Sequence, residues 1–225
     1  MSRRSILRFF FEVLAITVLL AVFTRSFILK GVAVPTRSME PSLLPGDHVI
    51  VNKQIFALSQ GRSAGRTILG RLLPSREIRR SDILLLRLPG APGALLIKRC
   101  VGLPGESLEI IDNRVFINGR RVDESAYLGP PPPVSPRASS RRGRAQLAAT
   151  KIPENAFFVL GDNRTQSIDS RELGSFPRST VVGRVVLVYW SFDRSDTRRG
   201  LSRLLATARD FVSRTRWQRT FEIVR

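Results

Sequence analysis

Imidazole and thiol are nearly missing from this chain of 225 residues, which has one histidine, His48, and one cysteine, Cys100. An internal disulfide is excluded, and cysteine usage says nothing about the redox compartment. Zinc sites of His/Cys spacing are absent. A Ser-His-Asp arrangement would have to be built on His48. The alternation over residues 48–52 puts Val49 and Val51 on one strand face and His48 on the other, toward the surface. A nucleophilic hydroxyl in this chain therefore depends on lysine or carboxylate. Lysine is also scarce. Of 37 basic residues only Lys30, Lys53, Lys98 and Lys151 are lysines, so 37 − 4 = 33 are arginines. Arginine keeps its proton, whereas a desolvated lysine can lose it, which makes each lysine worth inspecting.

The charge is one-sided and the apolar runs are few. A net charge of +19 invites a module that binds the phosphates of lipid or nucleic acid. The hydrophobic share of 43% supplies a real core and excludes wholesale disorder. Only one long apolar run occurs, residues 9–29, broken by Glu12, Thr17 and Arg25. A bilayer span takes about 20 residues, and charges near its ends can snorkel. No small-x-small cleavage site follows, so the run reads as a retained transmembrane anchor. Arg3, Arg4 and Arg8 in residues 1–8 place the N-terminus in the cytoplasm.

Residues 30–192 read as one domain of short strands and turns. Strands are expected at 48–52, 82–88, 94–101, 107–111, 115–117, 152–160 and 181–190, with a basic, loop-like stretch over 55–80. Residues 129–149 form a low-complexity insert, with prolines 130–133 and Arg137, Arg141, Arg142 and Arg144, which predicts a polyproline-rich loop. The tail, 193–225, carries Leu201, Leu204, Leu205, Ala208, Phe211 and Val212 at helical spacing. It predicts an amphipathic helix, either on a membrane surface or docked on the domain.

Three stretches carry chemistry. Ser38 and Thr36 lie in a segment that Pro35 and Pro41 hold extended. Lys98 and Arg99 are adjacent in an apolar strand, so at least one side chain meets apolar surroundings. The third, from Gly161-Asp162-Asn163-Arg164 through Ser167 to Asp169-Ser170-Arg171, has turn and cap chemistry, with Asp169 and Arg171 able to pair. Taken singly they read as a connector, an edge strand and a structural loop.

In this order, after one membrane helix, the three stretches resemble bacterial type I signal peptidase, a Ser-Lys serine protease. The carriers are Ser38-Met39, Lys98-Arg99 with Val101-Gly102-Leu103-Pro104-Gly105, and Gly161-Asp162-Asn163-Arg164 with Ser167 and Asp169-Ser170-Arg171. The resemblance implies a mostly β, antiparallel catalytic domain on the outer side of the bacterial inner membrane, anchored by one N-terminal helix. It implies Ser38 as nucleophile and Lys98 as general base, neutral through desolvation. Thr36 would support the oxyanion, Ser167 would orient the lysine, and Asp169 and Arg171 would brace the site. Val32, Val34, Met39, Leu43, Leu96 and Ile97 would line pockets for small residues at substrate positions −1 and −3, the peptide binding as an added strand. The implied partners are secretory preproteins and membrane lipids, with no metal, cofactor or nucleic acid, and the enzyme would act as a monomer. Arg37 stands where that family often has glycine, and Thr165-Gln166 replaces its more usual polar pair. The competing readings are a self-cleaving repressor, which the N-terminal apolar helix opposes, and a non-catalytic basic membrane-tethered module. The latter is opposed by the arginines gathering in the insert and tail, outside the three stretches.

Overall fold

The computed structural model describes residues 3–23, 28–53, 76–128, 146–193 and 211–224. Most of the expected loop at 55–80 and of the insert, and the tail up to 210, lie outside them.

Helix α1, Arg3–Phe23, begins earlier and ends earlier than the expected span of 9–29. Leu29 instead opens strand β1, Leu29–Ala33, where it pairs with Asn52. Side chains of α1 are described for residues 9–20, and every one is exposed. Among the described residues no helix is long and apolar enough to cross a membrane.

The remainder is mostly antiparallel β. After β1 come β2 (Asp47–Asn52), β3 (Ile83–Arg87), β4 (Leu95–Gly102), β5 (Ser107–Ile111), β6 (Arg114–Ile117), β7 (Arg120–Arg121) and a turn of helix, α2 (Ser125–Leu128). Then follow β8 (Leu147–Lys151), β9 (Ala156–Leu160), α3 (Ser170–Leu173), β10 (Phe176–Pro177), β11 (Val181–Ser191), α4 (Phe211–Arg214) and β12 (Glu222–Ile223). The larger sheet runs β1-β2-β11-β3-β4-β9-β10, and β12 also pairs with β11. The smaller runs β7-β6-β5-β8. Strand β8 starts inside the stretch expected to be insert.

Period-two patterning explains the main sheet. In β2 the side chains of Asp47, Val49 and Val51 are buried and the alternate ones are not, and His48 stacks on Trp190 at 4.9 Å. Val49 and Val51 join Val34, Met39, Leu43, Ile83, Leu85, Val185, Val188 and Val224 in one core. A second core under the other face gathers Leu84, Leu86, Cys100, Phe157, Val159 and Phe176. The small sheet encloses a third around Leu108, Val115, Ile152 and Phe158. Its hairpins turn through Asp112-Asn113 and Asn118-Gly119, all at positive φ, which Asn, Asp and Gly adopt at least cost.

The described end of the chain differs from an amphipathic helix. Only α4 is helical there, a 3₁₀ turn follows at Trp217–Arg219, and β12 then pairs Ile223 with Leu187 and Glu222 with Val188. Val224 enters the first core. Residues 201–210 of the expected helix lie outside the described residues; beyond it, Arg219 reaches Asp47 at 2.9 Å.

Candidate active site

Ser38 sits in a single 3₁₀ turn, Arg37–Met39, entered from extended Thr36. Met39 anchors that turn, being 1% exposed in the first core, and burying such a side chain contributes about 1.5–3 kcal/mol. Ser38 is thereby left facing β4. The hydroxyls of Thr36 and Ser38 lie 3.2 Å apart. The backbone N–H of Asn163 donates to the Ser38 carbonyl at 3.1 Å, tying the third sequence stretch to the first.

Lys98 stands on β4 where its partner β9 has just ended, since the pairing stops at Arg99–Leu160. Only 3% of Lys98 is exposed, and its Nζ donates to Ser38 Oγ at 2.8 Å. Burial pulls the ammonium pKa below its ordinary value; Asp169 opposes that shift, Arg171 adds to it and Asp162 opposes it. Desolvation has this sign because it penalises the charged form.

Gly161 closes the far side of the site. A Cβ there would come 2.1 Å from Ser167 Oγ and 2.6 Å from the Ser38 carbonyl, so only glycine lets the 161–170 loop approach. The Ser167 hydroxyl is buried beside it, near the Asp169 carboxylate that it helps to hold ionised, and makes no hydrogen bond to the lysine amine. Asp169 caps α3, accepting from Arg171 Nε at 2.8 Å, Arg171 Nη2 at 2.9 Å and the Gly161 N–H at 3.0 Å. Burial alone would raise its pKa, but the Arg171 and Gly161 hydrogen bonds outweigh that and hold the carboxyl below its usual range.

Beneath Lys98 lies a buried ion pair that the sequence did not single out. Arg99 donates to Asp162 through Nε and Nη2, both at 2.8 Å, with side chains 1% and 0% exposed. It also reaches the Ser81 carbonyl at 2.7 Å and Ser42 Oγ at 2.9 Å. The Tyr127 ring covers its face at 4.1 Å, and the Tyr127 hydroxyl donates to Glu124, which pairs with Arg164. Both charges of the Lys98-Arg99 pair are thus buried. A local signal existed for Arg99, two charges in one apolar strand; for Asp162, Gly-Asp-Asn read only as a turn.

The expected pocket residues divide. Val34, Met39 and Leu43 are 1%, 1% and 0% exposed, inside the core rather than at its surface. Val32 and Ile97 are partly buried against that same core, as is Leu95. Leu96 packs on the second core instead, because adjacent strand residues face opposite ways.

A serine hydroxyl thus lies at hydrogen-bond distance from a buried lysine amine on an antiparallel β scaffold. Comparison with known proteins gives the family. Residues 7–190 match the model of signal peptidase, peptidase S26. A signal peptidase I of Leptolyngbya laminosa is 30% identical over 183 residues, covering 81% of this chain and 79% of that one. Signal peptidase I S of Bacillus subtilis is 30% identical over 197 residues, covering 85% and 93%. A solved signal peptidase I from Enterococcus faecalis aligns at 31% identity and TM-score 0.37 over 48% of this chain and 97% of that one. The chain belongs to the signal peptidase S26 family, and it is an enzyme of the signal peptidase I kind.

Proposed function

We propose that the protein is a membrane-anchored serine endopeptidase that removes signal peptides from secretory preproteins after small residues, with Ser38 as nucleophile and Lys98 as general base. The observation that carries this reading is the 2.8 Å contact between Lys98 Nζ and Ser38 Oγ, made by an amine whose burial favours its neutral form.

In this mechanism the neutral amine of Lys98 accepts the Ser38 proton while Oγ attacks the scissile carbonyl carbon. The resulting oxyanion is met by the Ser38 N–H and the Thr36 hydroxyl, 3.2 Å from Ser38 Oγ; losing one such donor typically costs about 3 kcal/mol of barrier. The protonated Lys98 then gives its proton to the departing amine, which leaves with the mature chain. Lys98 next deprotonates water, which attacks the ester, and Ser38 recovers its proton as the signal peptide leaves. Ser167, beside Gly161, and the Asp169–Arg171 pair hold the loop against the dyad.

The substrate would add to the free edge of β1, presenting a small residue to Val32 and Ile97, with the buried Val34, Met39 and Leu43 as the floor beneath them. A bulky −1 residue has nowhere to go there. The anchor is supported by α1, whose described side chains are exposed all round, including Phe11 at 75% and Leu19 at 70%. Apart from Glu12 and Thr17 those side chains are apolar, and a helix that exposes them so widely is a poor fit to water.

The test is cleavage of a preprotein bearing an Ala-x-Ala site by detergent-solubilised protein. Wild type is expected to cut after the −1 alanine, while folded Ser38→Ala and Lys98→Met variants lose at least about 1,000-fold in rate. Normal cutting by Lys98→Met would remove the lysine from the mechanism.

A further inference from the structure

Asp47 is completely buried, and the mechanism above gives it no task. It opens β2 at the end of the turn that carries Ser38, and its carboxylate is fully engaged. One oxygen accepts from the Leu44 N–H at 2.8 Å and from Arg219 Nη2 at 2.9 Å; the other accepts from Ser191 Oγ at 2.6 Å. The same Arg219 nitrogen donates to the Ser42 carbonyl at 2.8 Å. Arg216 Nη1 donates to the Pro45 carbonyl at 3.1 Å. Ser42 in turn receives Arg99 through its hydroxyl. The segment between nucleophile and β2 is therefore held on one side by the strand of Lys98 and on the other by the chain's last residues, 172 and 177 positions away.

Arg216 and Arg219 lie beyond residues 7–190, over which the family model matches, whereas the segment they hold lies within it. Its holders are themselves fixed: β12 pairs with β11, the Arg216 N–H donates to the Ser191 carbonyl at 2.9 Å, and Val224 is buried in the core beneath Met39 and Leu43.

We infer that residues 211–224 form a positioning clasp for the nucleophile turn, in which Arg219 sets the place of Ser38 through Ser42 and Asp47. Arg219 touches neither Ser38 nor Lys98 in any described contact. It acts by removing the freedom of the turn that presents Ser38 to Lys98. Buried Met39 and Leu43 and the Asn163 N–H on the Ser38 carbonyl hold the turn from within, and the clasp arginines add a hold on the Ser42 and Pro45 carbonyls. Displacing a reacting group by about 1 Å through a remote change can cost about 100-fold in rate, whereas β1, where substrate would add, is held to β2 by its own backbone ladder.

The inference rests on Ser38 being the nucleophile. The experiment therefore measures acylation of Ser38 by an activated ester in the full-length, detergent-solubilised protein, per folded molecule, beside kcat and KM on a preprotein. Arg219→Ala is expected to acylate about 10- to 100-fold more slowly, with kcat falling in step and KM little changed. Millimolar guanidinium is expected to restore part of the rate, which a merely loosened fold would not show. Arg219→Lys, one bond shorter, is expected to fall between the two, and carries the test if the alanine variant is too unstable to handle. Ile111→Ala, an exposed position on the small sheet, should stay within about twofold of wild type. Either folded Arg219 variant acylating at the wild-type rate, or a loss confined to KM, overturns the clasp. Absence of acylation in the wild type would instead overturn the Ser-Lys reading.

Discussion

If Lys98 is the general base proposed above, it needs surroundings that keep the amine neutral, and the charges around it then set the acid limit of activity. Burial lowers its pKa most, Asp169 raises it, and Arg171 lowers it. A group with a lowered pKa is the weaker base in the folded protein, so activity is absent while Lys98 is protonated and rises as pH climbs through the lowered value. Replacing Arg171 removes one lowering charge directly. It also frees Asp169, whose carboxylate Arg171 now occupies with two hydrogen bonds, to act more strongly on the ammonium. Both effects have the same sign. Arg171→Gln is therefore expected to move the acid limb of kcat/KM to higher pH, with lower activity at neutrality. A pH–rate profile that keeps its acid limb in place would show that Arg171 does not tune the lysine.

The elements matter because the site is assembled from pieces that do not touch in sequence. Gly161 is the narrowest join, where the loop after β9 passes between Ser167 and the Ser38 carbonyl. A methyl group there meets backbone at 2.6 Å, a contact that backbone cannot relieve without moving the nucleophile turn. Gly161→Ala is expected to keep the β fold, read by circular dichroism, and to lose about 100-fold or more in cleavage rate. Near-normal cleavage would mean the loop has room the structure does not show. Short strings of sequence revealed Ser38, Lys98 and the 161–171 loop because each is local, as are the turns at Asp112-Asn113 and Asn118-Gly119. Arg99 with Asp162, and Asp47 with Arg219, join different elements, and no spacing along the chain announces such a pair. Val34, Met39 and Leu43 show the same limit: an apolar side chain near a nucleophile reads alike whether it lines a pocket or fills the core behind it.

At the scale of the whole molecule, the excess of arginine divides between structure and surroundings. Arg99, Arg164, Arg171, Arg216 and Arg219 each meet a carboxylate within the fold, so part of the charge that suggested a phosphate-binding module is spent on internal pairs. The apolar counterpart of that charge is α1, whose described side chains stay exposed, among them Phe10 at 65%, Leu14 at 58% and Ile16 at 66%. Only a few residues separate this helix from β1, the edge strand proposed to receive the substrate. Such a placement suits an enzyme whose substrate's own apolar segment lies in a bilayer, because both chains then meet at the membrane surface. If α1 is the anchor, a charge at its middle costs about 2.5–3.5 kcal/mol of insertion free energy per residue. The double variant Leu14→Arg, Ile16→Arg is then expected to leave the membrane fraction after an alkaline wash, whereas wild type stays. Both side chains are mostly exposed, so the variant should still hydrolyse a short soluble peptide in detergent at the wild-type rate while processing of a membrane-inserted preprotein falls. Wild-type protein released by the same wash would sink the anchor and leave the exposed helix to be explained by another partner.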